Sequence, residues 1–339
     1  MKLPLLLAMV IFPIGLLAGD WKELAPLPDE RGFAGAFGGV SGGALMVAGG
    51  THFPDKMPWD GGVKVWFDDV YVMEEPDGAW KKAGKLPRAS GYGASISLDQ
   101  GLLIIGGGNA TEHYRNVFIL KWVDGKLTTI PFPDLPGPCA FMTGAAVGST
   151  IHVYGGIEKP DATSALASHW TLDLMDVGAG WKSLAPLPGG DRILAASGGV
   201  DGSFFVFSGA ALQPGADGKP VRKWLEDAWK FSSSEGWQRL PDLPRVSVAA
   251  PTPIPMINGR LWVVGGDDGA LVDFQPKDKH PGFPRDILSY DLSGNKWSRA
   301  GVVPFSLVTT SAVLWQGRIV IPGGEARPGV RSPKVWLMD

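Results

Sequence analysis

The sequence holds one cysteine, Cys139, among 339 residues. A single thiol makes no internal disulfide and excludes cysteine metal clusters. Charge of either sign is also scarce: charged residues are 19% of the chain and the net charge is −3. That balance gives no basic face of the kind nucleic acid requires, and no polybasic run offers a site for anionic lipid. Beyond the first residues, no apolar run is long enough to cross a bilayer. The fold must therefore be held by packing and strand pairing, and the mature chain is expected to use neither nucleic acid nor membrane.

The N-terminus has a different character. Lys2 precedes an apolar run from Leu3 to about Leu17, followed by Ala18, Gly19 and the polar Asp20. A short charged start, an apolar centre and small residues describe a secretory signal peptide. Leucine stands where a cleavage site usually has its outer small residue. Residues 1–19 are accordingly expected to direct export, giving a periplasmic or secreted protein, with the folded domain over 20–339.

What the chain has in abundance is turn residues among apolar runs. Gly 48 and Pro 29 make up a little over a fifth of it, yet hydrophobic residues are 45%. Many short strands joined by tight turns fit that composition. Internal repetition gives the architecture. Trp-x-x-Leu-x-Pro-Leu-Pro stands at Trp21–Pro28 and again at Trp181–Pro188, with related forms at Trp80–Pro87, Trp237–Pro244 and Trp297–Pro304. A degenerate form without tryptophan covers Leu127–Pro136. The starts lie roughly 50 to 60 residues apart, the Kelch period. An apolar run ending in a glycine pair follows each one: Leu45–Gly50, Leu102–Gly107, Ile151–Gly156, Leu261–Gly266 and Ile319–Gly324, with Ser-Gly ending Phe204–Gly209.

Six copies predict an all-β, six-bladed Kelch-type β-propeller. Each blade reads as strand a near the axis, b ending in the glycine pair, c, and an outer d whose tryptophan packs over its own blade. The phase of the repeat predicts how the ring closes. The mature chain opens on a d strand, Trp21–Pro26, and ends on a c strand, Lys334–Met338, so the N-terminal strand must complete the C-terminal blade. That clasp removes two free sheet edges.

In such blades the b–c and d–a loops share one face. The b–c loops are long and varied, among them Thr51–Phe67, Ala210–Glu226 and Asp267–Arg285, whereas the opposite loops are tight turns. Long loops on a rigid scaffold are where binding and catalysis concentrate. The d–a loops bring Arg31, Arg88, Arg192 and Arg245 to this face. The b–c loop starts bring His52, Glu158, Asp267, Asp268 and Glu325. Guanidinium binds carboxylate in bidentate fashion, so the four arginines are candidates to hold an anionic small ligand.

One segment is more specific. Gly323-Gly324-Glu325-Ala326-Arg327-Pro328-Gly329-Val330-Arg331-Ser332 resembles the Gly-Glu-Ala-Lys-Pro-Gly-Leu-Arg-Thr segment of bacterial N-acetylneuraminate epimerases, the Kelch-type sialic acid mutarotases. Trp21–Gly50 is similar to the blade that follows that motif in the family, and Tyr92-Gly93 with Leu102–Gly107 resembles the family's last blade. Here the motif nearly ends the chain, so the sequence looks like a circular permutation of the family. The loops Phe53–Val65 and Gln213–Lys223 do not match it.

The resemblance implies an isomerase acting on a sugar acid, with Glu325 and Arg331 as the active-site pair. Mutarotation opens a cyclic hemiketal and recloses it on the other face. It needs a base and an acid but no metal, redox cofactor or covalent intermediate. Glu325 is the expected base, and Arg331 is expected to hold the substrate carboxylate or a developing oxyanion. Two other readings fit a propeller sequence. A non-catalytic propeller would bind a protein or glycan and tolerate Glu325→Gln. A copper radical oxidase would need a cysteine-linked tyrosine with further tyrosine and histidine ligands, and only His113-Tyr114 stand adjacent.

Overall fold

The computed structural model describes residues 19–216 and 218–339. The expected signal peptide lies, except for Gly19, outside the described residues. Among the described residues, six four-stranded antiparallel sheets form the blades of a propeller. Blade 1 runs Phe37–Ser41, Ala44–Ala48, Asp69–Met73 and Lys81–Lys85. Blades 2 to 5 repeat that order over residues 94–132, 143–184, 196–240 and 256–302.

Blade 6 takes Val313–Trp315, Arg318–Arg327 and Val330–Met338 from the C-terminus and Trp21–Leu24 from the N-terminus. Trp21 pairs with Met338 and Leu24 with Val335, the closure expected from the repeat phase. Leu24 and Leu27 are buried against Val335 and Leu337, so the clasp is packed as well as hydrogen-bonded.

The radial order of the strands follows from how crowded each position is. Every residue of the b strands Ala44–Ala48 and Gly101–Ile105 is buried, because each face meets a neighbouring blade. The outer d strands are open to water and carry charge, as in Lys81–Lys85. Near the axis blades converge, and a methyl on Gly199 would overlap the carbonyl oxygen of Ala146 in the preceding blade.

The d-strand tryptophans do more than cover their own blade. Trp80 Nε1 donates to Ala25 O (2.9 Å), Trp181 to Pro133 O (2.7 Å), Trp237 to Ala185 O (3.0 Å) and Trp297 to Pro241 O (2.8 Å). Each acceptor lies about one repeat earlier, in the segment leaving the preceding blade. The indole thus ties adjacent blades at their outer rim.

A second tie runs around the inner rim. Thr309 O accepts from Gly35 N (2.7 Å), Gly35 O from Tyr92 N (2.8 Å), and Tyr92 O from Phe141 N (2.6 Å). The series continues through Leu194 (2.9 Å), Ala249 (2.8 Å) and back to Thr309 N (2.8 Å), closing a circle of six backbone hydrogen bonds, one per blade. All six residues have positive φ, from 52° at Thr309 to 66° at Gly35. Five of them are not glycine, and such residues cost about 1–3 kcal/mol each unless their surroundings enforce the conformation. Ala249→Gly should therefore leave stability within about 1 kcal/mol of wild type, since relief of the left-handed strain offsets the greater freedom of the unfolded glycine. Ala196→Gly, at a fully buried strand position with ordinary φ, should lose about 1 kcal/mol or more. Urea denaturation of the pair checks the contrast, and equal losses would remove strain from the account.

Blade 3 buries two histidines. His152 Nδ1 lies 3.0 Å from His169 Nε2, and the pair packs among Phe204, Phe231 and Trp237. Burial pushes His152 down to about 3 and His169 down to about 4. The unfolded chain, with histidines near 6.5, then binds more protons than the folded one below that pH. Stability should be intact above pH ~6.5 and fall towards pH ~4 by about 1.4 kcal/mol per pH unit for each histidine. Denaturation midpoints at pH 7 and 4.5 measure the slope, which should be shallower in His169→Phe.

Candidate active site at the channel mouth

The site begins with the bulge each glycine pair makes at the end of strand b. Past it, single bridges resume between Ala34 and Thr51, Gly91 and Gly108, Ala140 and Ile157, Ile193 and Ala210, Val248 and Asp267, and Val308 and Glu325. Thr51, Gly108, Ile157, Ala210, Asp267 and Glu325 are thus one structural position repeated around the mouth. Carboxylates occupy it in two adjacent blades, 5 and 6.

Above the hydrogen-bonded circle lies a cavity of about 340 Å³, within the usual size range of small-molecule sites. Tyr92, Phe141, Leu194, Ala249 and Thr309 form its floor, with the Tyr92 and Phe141 rings stacked at 4.6 Å. Beneath the floor the channel holds a space of about 60 Å³, where hydroxyls bond across blades, as Ser95 and Ser311 do to Gly38 N (both 3.1 Å). The space below the floor is too small for a sugar, so only the mouth cavity has room for a small molecule.

The walls come from the long b–c connections, three of which are β-hairpins. Strands b and c of blade 6 run on past their bulges, so Glu325 stands directly opposite Arg331. Arg331 Nη1 donates to Glu325 Oε1 at 3.1 Å, and Gly329 N donates to the same oxygen at 2.7 Å. Arg331 Nε donates to Thr51 O at 3.3 Å, and its guanidinium lies 4.9 Å from the centre of the Phe53 ring. Both contacts cross from the last blade to the first. The Arg331 side chain is 3% exposed and that of Glu325 17%. The pair is held in place from several sides, yet both residues line the cavity.

The hairpin Thr51–His52/Val65–Trp66 leads to Lys64, whose ammonium is 5.3 Å from the centre of the Tyr92 ring. The hairpin Ala210–Pro214/Pro220–Trp224 brings Arg222 to the opposite wall. Asp267 and Phe283 come from blade 5. Burial pushes the Asp267 carboxyl up, with smaller upward contributions from the charges of Asp268 and Glu325. The Gly269 N–H (3.0 Å) and Arg222 act in the other direction. The cavity thus sets three cations and two carboxylates over an apolar floor.

The arginines named from the sequence have other duties, and none of the four lines this cavity. Arg192 is 1% exposed and forms a bidentate pair with Asp227 (2.9 and 2.9 Å), with Ser208 O also accepting at 2.9 Å. Arg245 bonds Asp286 Oδ1 (2.6 Å), Gly265 O (2.9 Å) and Val246 O (2.8 Å). Both sew a d–a loop to the strands of the blade it leads into. Arg88 lies over the Tyr114 ring at 4.4 Å, in a separate groove. Arg31 donates to Phe53 O (2.8 Å) and so braces the ring beneath Arg331. Of the other residues placed on this face, His52 bonds Asp29 (3.0 Å) and stacks on Phe67. Lys64 and Arg222 were not singled out by any repeat or motif. The one available signal was that both lie in the two connections that depart from the family pattern.

A six-bladed propeller with a charged cavity at one mouth is the class these features define. Comparison with known proteins gives the relationship. A family model described as N-acetylneuraminate epimerase matches residues 13–130. An N-acetylneuraminate epimerase of Haemophilus influenzae is 32% identical over 225 residues, covering 59% of this chain and 57% of the relative. Those of Brucella suis and Yersinia enterocolitica are 39% identical over 129 residues (33% and 32% of the two chains) and 30% identical over 236 (60% and 56%). The matched stretch thus spans little more than half of these relatives at most. The solved structure of YjhT superposes with a TM-score of 0.67 over 93% of this chain and 95% of the other, at 14% identity, so the propeller fold is shared. The resemblance drawn from the Glu325–Arg331 segment is to the same family that these comparisons return.

If Arg192 is structural, Arg192→Ala should cost about 3–5 kcal/mol in unfolding free energy, because it strands the Asp227 carboxylate. Ligand affinity of the folded fraction should not change. A loss of affinity at unchanged stability would place Arg192 in the site instead.

Proposed function

We propose that the protein is a mutarotase that interconverts the anomers of a sialic acid or a related acidic sugar by opening and reclosing its ring. The observation that carries this reading is the Glu325–Arg331 pair, set opposite each other on adjacent strands and lining the mouth cavity. Its relatives are named for that activity, which supports the substrate class.

The chemistry follows from the groups present. Glu325 takes the proton of the anomeric hydroxyl, and a second group protonates the ring oxygen as the carbon–oxygen bond breaks. Two donors fix Glu325 Oε1, so the carboxylate meets the substrate in one orientation. Arg331, Arg222 and Lys64 supply positive charge for the sugar carboxylate. Tyr92 and Phe141 offer aromatic faces to the C–H side of a sugar ring. Closure on the opposite face returns both protons, so no co-reactant is consumed.

Two further points belong to this reading. Export would place the activity in the periplasm or outside the cell, on the strength of residues 1–19. The position of the Glu/Arg segment in the last blade suits a circular permutation of the epimerase order, which a ring closed by Trp21–Leu24 accommodates.

The test uses N-acetylneuraminate freshly released as one anomer, with re-equilibration followed by proton NMR. Wild type should accelerate exchange over buffer, and Glu325→Gln should lose ~10²–10⁴-fold of that acceleration. Equal rates for wild type and Glu325→Gln would remove Glu325 as the base. No acceleration with this or any other acidic sugar would favour a binding module.

A further inference from the structure

Ring opening needs an acid as well as a base, and the structure offers a specific group for it. We propose that Asp267 is the second catalytic carboxyl, exchanging a proton with the ring oxygen of the sugar while Glu325 exchanges one with the anomeric hydroxyl. The proposal rests on the mutarotase reading and goes beyond the Glu/Arg segment on which that reading stands.

Position is the first argument. Asp267 follows the glycine pair of blade 5 as Glu325 follows that of blade 6, each bridged to a valine of the d–a loop, Val248 or Val308. The two side chains therefore leave the ring at equivalent points one blade apart, and both line the same cavity. The other four copies of this position are Thr51, Gly108, Ile157 and Ala210, none of which can exchange a proton in the neutral range.

The second argument is that the two carboxyls sit in opposite surroundings. Glu325 accepts a guanidinium N–H and a backbone N–H on one oxygen. Partial burial pushes the half-buried Asp267 carboxyl up, as do the charges of Asp268 and Glu325, and the Gly269 N–H and Arg222 oppose them. Lys64 and Arg331 complete the charged groups around the cavity. An acceptor fixed by two donors beside a carboxyl that burial pushes up supplies a base and an acid in one cavity.

The steps balance. Glu325 accepts the anomeric proton, the hydroxyl oxygen's electron pair forms the carbonyl, and the ring carbon–oxygen bond breaks. The ring oxygen takes the proton of Asp267. After rotation about the bond to the carbonyl carbon, the same hydroxyl attacks the opposite face. It returns its proton to Asp267, and the carbonyl oxygen recovers one from Glu325.

The experiment is the pH–rate profile of anomer exchange after subtraction of the buffer rate, for wild type, Asp267→Asn and Asp267→Glu. An acid must be protonated to act, so the wild-type rate should fall as pH rises through the Asp267 titration. Asp267→Asn should lose ~10²-fold of the rate and lose that limb with it, while Asp267→Glu should recover most of both. If Asp267→Asn keeps the limb and a rate within about threefold of wild type, Asp267 is not the acid and the mutarotase reading survives. If wild type itself gives no acceleration, both fall. Carboxyl carbon NMR of the folded wild type, with the Asp267 resonance assigned by its loss in Asp267→Asn, is a readout independent of turnover. A midpoint above the ordinary aspartate value of about 3.9 is expected, and one at or below it overturns the proposal.

Discussion

Everything at the functional face is hung from the circle of six backbone hydrogen bonds through Gly35, Tyr92, Phe141, Leu194, Ala249 and Thr309. A single such bond contributes little net stability in water. In a closed circle each residue is donor to one blade and acceptor from the other, so no blade can shift radially without breaking two bonds. The price is left-handed backbone at all six positions, five of them with a side chain. Those side chains then point where no regular strand would send them, and they make the cavity floor.

The circle also explains how labour is divided across the radius. Towards the outside, blades are joined by tryptophan N–H groups, and the Arg192–Asp227 and Arg245–Asp286 pairs tie each d–a loop to the blade it enters. Towards the axis, polar groups below the floor are hydroxyls that bond each other and the backbone across blades. Charge reaches the axis only above the floor, where the b–c hairpins extend over it. A ligand bound there meets Lys64, Arg222, Asp267, Glu325 and Arg331 on a rigid support, the condition under which electrostatic preorganisation acts.

The repeat was legible in the sequence because its landmarks are backbone necessities. Glycine pairs sit at left-handed positions, and Ser208, at φ 57°, takes the same conformation in blade 4 with a side chain. Tryptophans mark the outer rim, and the phase of the repeat dictates the clasp. The four d–a loop arginines stay out of the cavity lining for a physical reason. A loop position says which face a residue is on, but a side chain as long as arginine can turn back into its own blade. In Arg192 and Arg245 a nearby aspartate at the start of strand c draws it there. Lys64 and Arg222 lay beyond reach because hairpin register, set by turns within loops of no repeat pattern, decides which side chain meets the axis.

The clasp between the termini is tied to the site as well as to stability. Arg331 belongs to the C-terminal blade, but its Nε is held by Thr51 O and its plane by Phe53, both from the first blade. Phe53 is in turn braced by Arg31, which lies between the clasp strand and blade 1. An opened ring would free Arg331 from two of its supports, and with it the orientation it gives Glu325. The seam is thus the place where the chain's two ends, the circle of hydrogen bonds and the Glu325–Arg331 pair meet. A propeller cut at another loop could keep the same pocket, provided the strand at that cut closed the ring as firmly as Trp21–Leu24 does here.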